Sequence, residues 1–305
     1  MLQTIANKLE SQIHQHLSKC GLMFRLFSRV KTISSLHHKI HFKDERYLAG
    51  KLKIQDMIGL RIVLYFQDDV DALAFFFSCG EVVRSSIDEL DTSTFRPQRL
   101  NLTCNLPAEF VDDFRKALPE EYATYVDPTF EIQIRTIFSE GWHEVEHDLR
   151  YKCKEDWEGC ESYSRVLNGV IATLETAEWN MKSLFDQMAR TNLQTKNYRA
   201  MLRNKMHLRI KGDDFSASVN QFLLEHPHVA ESILNTDRFV IILSLLNHHK
   251  PIELTYDNLL FIINRIEMND PELKAIESED TQKMLDNFFC LTTCLIGTIK
   301  HTKYI

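Results

Sequence analysis

Residues 129–135 read TFEIQIR. Phe130, Ile132 and Ile134 alternate with Glu131, Gln133 and Arg135. Successive side chains of a strand point to opposite faces, so this stretch is a strand with one buried and one polar face. Residues 58–66 (IGLRIVLYF) are rich in β-branched and aromatic types and read as a buried strand. Arg61 lies inside it. A buried guanidinium needs a partner, so a carboxylate or a ligand must meet it. Residues 81–86 and 99–106 are further strand candidates, the second alternating as Leu100, Leu102, Cys104 and Leu106.

Helical spacing surrounds these strands. Leu2, Ile5, Leu9, Ile13 and Leu17 share one face, and helices are expected over 69–79, 137–152 and 162–190. The pattern stays helical beyond Asn192, broken at 211–214, at His226-Pro227, at 247–251 and at Asp270-Pro271. The expected class is α+β: a mixed β-sheet flanked by helices over residues 1–192, then an all-α region over 193–305. No internal repeat or low-complexity segment interrupts it.

The composition bounds the function. With 44% hydrophobic and 26% charged residues, the 305-residue chain is ordinary for a globular protein. Its net charge of −7 excludes a global attraction to polyanions, so any phosphate site must be a local patch. The seven cysteines contain no CxxC pair, which argues against a zinc site, and Cys290 and Cys294 read as buried thiols in an apolar helix. No leader pattern and no apolar run of about 20 residues is present, so a reduced, cytoplasmic protein outside the membrane is expected.

Basic residues are gathered locally. Residues 25–53 hold eight cations against two acids. Within them, Arg29, Lys31, Ser35 and Lys39 place cations and a hydroxyl at a loop-to-helix junction, which suits a polyphosphate or simply a basic helix start. Asp56, just ahead of the strand at 58–66, is either a Mg²⁺ ligand or a turn aspartate. A second run, Lys196, Arg199, Arg203, Lys205, Arg209 and Lys211, contains no acid. It reads as a solvated helix face or as an RNA-contacting surface.

Four segments taken in order, RVKTISSLHHK (29–39), QDMIGLRIV (55–63), FEIQIRT (130–136) and GWHEVEHDLRYK (141–152), together resemble the synthetase domain of the RelA/SpoT family. The likeness is strongest to the single-domain small alarmone synthetases and covers residues 1–190. It implies a nucleotidyltransferase-like mixed sheet and transfer of pyrophosphate from ATP to the 3′-hydroxyl of a nucleotide. Arg29 and Arg61 would sandwich the adenine, and Lys31, Ser35 and Lys39 would hold the triphosphate. Asp56 and Glu131 would bind Mg²⁺ as the catalytic pair, with Glu131 also helping to deprotonate the acceptor. Gln133 and Arg135 would line the acceptor side.

The chain departs from that family in one place. Relatives carry approximately N-G-Y-x-S-x-H between the aspartate and glutamate motifs, where the tyrosine stacks on the acceptor guanine. Residues 95–105 read FRPQRLNLTCN, with no tyrosine or histidine; Arg99 or Leu100 falls near the tyrosine position, followed by Asn101. Glu140 replaces an asparagine that faces the acceptor base in relatives. Donor residues kept and acceptor residues altered imply a changed acceptor, and no hydrolase HD pattern is present. Two other readings stay open: a toxin-like enzyme that modifies the 3′ end of tRNA, with Lys196, Arg199, Arg203 and Lys205 as its contacts, and a non-catalytic nucleotide-sensing or partner-binding protein.

Overall fold

The computed structural model describes residues 1–78, 82–87, 100–248 and 252–289. Arg99, Phe95, Cys290 and Cys294 lie outside them. Two compact units form: Met1–Gln15, Phe24–Val70 and Ala74–Thr176 in the first, His16–Met23, Asp71–Leu73 and Ala177–Ile305 in the second.

The first unit is built on a five-stranded mixed sheet. Its strands are β1 (Phe24–Val30), β2 (Ile58–Leu64), β3 (Val82–Ile87), β4 (Leu100–Asn105) and β5 (Thr129–Thr136), in spatial order β1-β2-β5-β4-β3. β2 and β5 run parallel, and every other neighbouring pair is antiparallel. The alternation at 129–135 has its expected consequence. Phe130, Ile132 and Ile134 are buried, as are Leu60, Ile62 and Leu64 of β2 and Leu102 of β4. Removing such side chains from water contributes roughly 1.5–3 kcal/mol each.

The register defines the opposite face. Phe27 pairs with Arg61, Arg61 with Gln133, and Gln133 with Asn101. One step away, Arg29 pairs with Gly59, Gly59 with Glu131, and Glu131 with Thr103. Paired residues share a face, so a nearly all-polar surface crosses four strands.

Helices α1 (Leu2–Lys19), α2 (Ile33–His38), α3 (Glu45–Leu48), α4 (Gln67–Ser78), α5 (Ala108–Ala117), α6 (Ile137–Glu146) and α7 (Glu161–Gln194) follow in chain order among the strands. The helix expected over 137–152 is interrupted: α6 passes into a π turn at His147–Tyr151. A second π turn, Lys39–Lys43, continues α2. Such turns hold an extra residue and shift the side chains within them from α-helical placement.

The second unit contains α8 (Tyr198–Met206), α9 (Ala217–Glu225), α10 (Pro227–Asn235), α11 (Arg238–Leu246), α12 (Tyr256–Ile263), α13 (Pro271–Ala275) and α14 (Glu279–Phe289). Its core includes Met201, Leu202, Leu223, Ile241, Leu243, Leu260 and Ile262. Gly21 is required here: its φ is +71°, and a Cβ would stand 2.6 Å from Leu254 Cδ2 and 3.0 Å from the Arg209 carbonyl. Among the described residues, no helix is long and apolar enough to cross a membrane.

Candidate functional site

The polar face of the sheet carries a cavity of about 510 Å³, a volume suited to a small ligand. It is lined by Phe27, Ser28, Arg29, Gly59, Leu60, Arg61, Gln133, Glu140, Glu144, His147, Asp148 and Lys152. The sheet supplies one wall, and α6 with its π turn supplies another. Thr136 caps α6 by accepting from the Ser139 amide at 3.1 Å. That cap starts the helix directly after β5, which brings Glu140 and Glu144 back over the strands.

Arg29 and Arg61 line this one cavity. A Cβ on Gly59 would stand 3.4 Å from Arg29 Nε, so the Arg29 arm crosses from β1 to lie over Gly59. Arg61 is two residues further along β2 on the same face.

Arg61, half-buried where the rest of β2 is buried, meets carboxylate partners. It donates through Nη1 to Glu140 Oε1 at 2.6 Å and to Glu144, and through Nε to Gln133 Oε1 at 3.2 Å. Burial works against its charge, but the two glutamates outweigh burial and raise its pKa above the ordinary arginine value. Arg135 donates to Glu140 Oε2 at 2.9 Å and to Gln133 Oε1 at 3.4 Å. Gln133 donates in turn to Glu131 Oε2 at 3.0 Å.

A second cluster sits where β1 and β2 begin to diverge. Asp56 Oδ2 lies 2.9 Å from Lys31 Nζ and 3.1 Å from Lys39 Nζ. The backbone holds these groups together: the Lys31 amide donates to the Met57 carbonyl at 2.9 Å. Burial pushes the Asp56 pKa up, but Lys39 and Lys31 outweigh it and leave the carboxyl below the usual range. Ser35 lies on exposed α2, its hydroxyl accepting from Thr32 Oγ1 at 2.9 Å. Asp56 and Glu131 are two hard oxygen donors flanking β2, the kind of set Mg²⁺ takes when phosphate oxygens complete its shell. Among the described residues, no cluster of three or more His, Cys, Asp or Glu side chains is gathered for a metal.

The other candidate residues divide between this face and the second unit. Asn101 lies on β4 in register with Gln133. Glu140 has both oxygens on arginines of this chain. In the second unit, Arg203 donates to the Tyr256 hydroxyl at 2.7 Å and Arg199 to the Asp213 carbonyl at 2.9 Å. Burial lowers the pKa of Lys205. Lys196 is exposed. Cys20 and Cys104 are buried, and burial pushes their thiols up to about 12 and about 11, far from a nucleophile's range.

Sequence reasoning missed several cavity residues. Phe27 is 52% exposed on the cavity wall, the odd aromatic on a polar face. Glu144, His147, Asp148 and Lys152, given no individual role by the sequence, also line the cavity. His147 stacks on Tyr151 with centroids 5.6 Å apart, while Lys152 reaches Asp148 at 2.6 Å. The π turn re-aims these residues, and helical periodicity contains no signal for it.

Residues 28–156 match the family model described as the region found in RelA / SpoT proteins. No curated protein matches the chain. Among solved structures, a GTP pyrophosphokinase family protein from Streptococcus pneumoniae is 19% identical, with 60% of this chain and 88% of that chain covered and a TM-score of 0.44. Small alarmone synthetase 1 from Bacillus subtilis is 20% identical, with 63% and 94% covered and a TM-score of 0.44. The same Bacillus subtilis synthetase bound to its product pppGpp is 22% identical, with 60% and 91% covered and a TM-score of 0.43.

Proposed function

Residues 28–156 carry the region found in RelA / SpoT proteins, and on that premise we propose that this chain is an ATP-dependent pyrophosphokinase. It transfers the β,γ-pyrophosphate of ATP to the 3′-hydroxyl of a nucleotide acceptor and releases AMP. Catalysis resides in residues 1–192, and residues 193–305 form a helical region with a separate role. The observation that carries the reading is that Arg29 and Arg61 line one cavity, with the Arg29 arm over Gly59. Planar guanidinium groups stack on bases in a way an ammonium cannot.

The roles follow from chemistry and position. Arg29 and Arg61 hold the adenine. Lys31, Ser35 and Lys39 bind the triphosphate; both lysines now spend their charge on Asp56, so phosphate binding exchanges one anion for another. Transfer of this kind depends on positioning and charge neutralisation more than on covalent help. Asp56 and Glu131 would hold Mg²⁺, which would supply charge neutralisation to the phosphate oxygens. Glu131 accepts the proton of the acceptor hydroxyl, and Gln133, within hydrogen-bond reach, orients it. Gln133 and Asn101 face the acceptor, with buried Arg135 behind them.

The altered stretch at 95–105 favours an acceptor other than a guanine nucleotide held by stacking on tyrosine. Incubation of the full chain with labelled ATP and, separately, GDP, GTP, ADP and bulk tRNA tests the reading. AMP release with one free nucleotide supports it. Labelled tRNA 3′ ends instead assign the acceptor to RNA, and no AMP with any acceptor returns the chain to a non-catalytic role.

A further inference from the structure

Glu140 ties together two arginines from different strands. Its Oε1 accepts from Arg61 of β2 at 2.6 Å, and its Oε2 from Arg135 of β5 at 2.9 Å. Gln133 Oε1 repeats the bridge, at 3.2 Å from Arg61 Nε and 3.4 Å from Arg135 Nη2. The Glu140 side chain is 14% exposed and that of Arg135 3%, so the bridge is shielded from water and salt. Charge-assisted hydrogen bonds in such a setting hold geometry firmly.

Guanidinium N–H groups donate in the plane of the group. Arg61 is therefore gripped in its plane, through Nε and Nη1, a mode of holding that does not use the faces on which a base would stack. Arg135, packed in the interior, is the anchor; Glu140 is the strut; Arg61 is the part held in place. Both oxygens of Glu140 are engaged, so no lone carboxylate is presented to an acceptor base.

We propose that Glu140 is a positioning residue for the donor nucleotide: by bracing Arg61 against buried Arg135, it holds the Arg61 guanidinium at the separation from Arg29 that a purine base requires. This rests on the ATP reading of the cavity. It differs from the acceptor-side role that the sequence position implied.

A bridge that served stability alone would give a different binding pattern. The full chain is titrated by calorimetry, with Mg²⁺ present, against AMPCPP and against tripolyphosphate, which has the phosphates and no base. Wild type, Glu140→Gln, Glu140→Ala, Arg61→Ala and the Arg61→Ala/Glu140→Ala double variant are compared. Wild type should bind AMPCPP more tightly than tripolyphosphate. Glu140→Ala should lose about tenfold on AMPCPP, the scale of one weakened stacking contact, and nothing on tripolyphosphate. Glu140→Gln should fall between. In the Arg61→Ala background Glu140→Ala should cost nothing further, because residues acting through one another are not additive. Equal loss on both probes, or an undiminished loss in the Arg61→Ala background, overturns the positioning role. If Glu140→Ala does not fold, the Glu140→Gln ratio of the two probes decides by the same criterion. Equal binding of both probes by wild type overturns the donor reading itself, an outcome distinct from failure of Glu140.

Discussion

The side chain of Arg29 crosses to the neighbouring strand and lies over Gly59, where a Cβ would stand 3.4 Å from its Nε. The contact would be tight, and the long arm can yield, so the effect of filling it falls on the arm more than on the fold. Gly59→Ala should leave the circular dichroism spectrum unchanged and raise the KM for ATP several-fold. Gly59→Val should raise it by more than about tenfold, the scale of a lost stacking contact. An unchanged KM in both variants would show that the slot over Gly59 does not receive the base.

Arg61→Ala and Arg61→Lys separate stacking from charge. Lysine keeps the ion pairs with Glu140 and Glu144 and loses the planar face. Stacking on a base is worth about 1–3 kcal/mol, roughly a ten- to hundredfold change in affinity. ATP binding should fall by that order in both variants, with alanine the weaker binder. Near-native affinity in Arg61→Lys would assign the group to charge alone.

Asp56→Ala and Glu131→Ala should each abolish AMP release while the chain stays folded by circular dichroism. Turnover retained in both variants would remove them from the catalytic centre.

The Asp56 cluster also has a pH signature. Burial raises its pKa, but Lys39 and Lys31 outweigh burial, so the folded value lies below the unfolded one. The stability from these pairs is therefore present above the ordinary carboxylate value, about 3.9, and is lost as pH falls through the lowered folded value. The unfolding free energies of wild type and Asp56→Asn should differ by a constant amount near neutrality, with the gap closing in that acid range. A gap that closes above pH 5 would contradict the paired geometry.

Arg203→Ala tests the second basic run. Its guanidinium serves the hydroxyl of Tyr256, a side chain 1% exposed. Loss of that partner should cost about 1–2 kcal/mol, a fall of a few degrees in the thermal midpoint. An unchanged midpoint with weakened binding of bulk tRNA would return this arginine to the RNA surface.

The central strands of the sheet were legible because short-range pattern encodes them. Alternation at 129–135 marks a strand with a polar face, and Arg61 inside an apolar run demands a partner somewhere. The identity of that partner was not legible. Glu140 and Glu144 meet Arg61 because α6 begins on a threonine cap directly after β5 and turns back over the sheet, a tertiary consequence. Phe27 and Arg29 lie on β1, where the sequence suggested a basic loop-to-helix stretch and no strand, and only the register places Phe27 opposite Arg61. The basic run at 196–211 showed the reverse difficulty: composition reads as an exposed patch, while Arg203 and Arg199 turn to groups of their own unit.

The two π turns carry a consequence for insertions and deletions. Each holds one residue beyond the α-helical count, one beginning at Lys39 and the other at His147. Excising a single residue from either would close the wide turn to the ordinary helical count, so the length change would be absorbed there, whereas one residue excised within an α-helix rotates everything downstream by about 100° around the axis. What would change is the placement of the residues in the turn itself: Lys39 beside Asp56 in the first case, His147 and Asp148 on the cavity wall in the second. In this chain, a one-residue gap at either turn should spare the elements that follow and fall on the charged residues the turn presents.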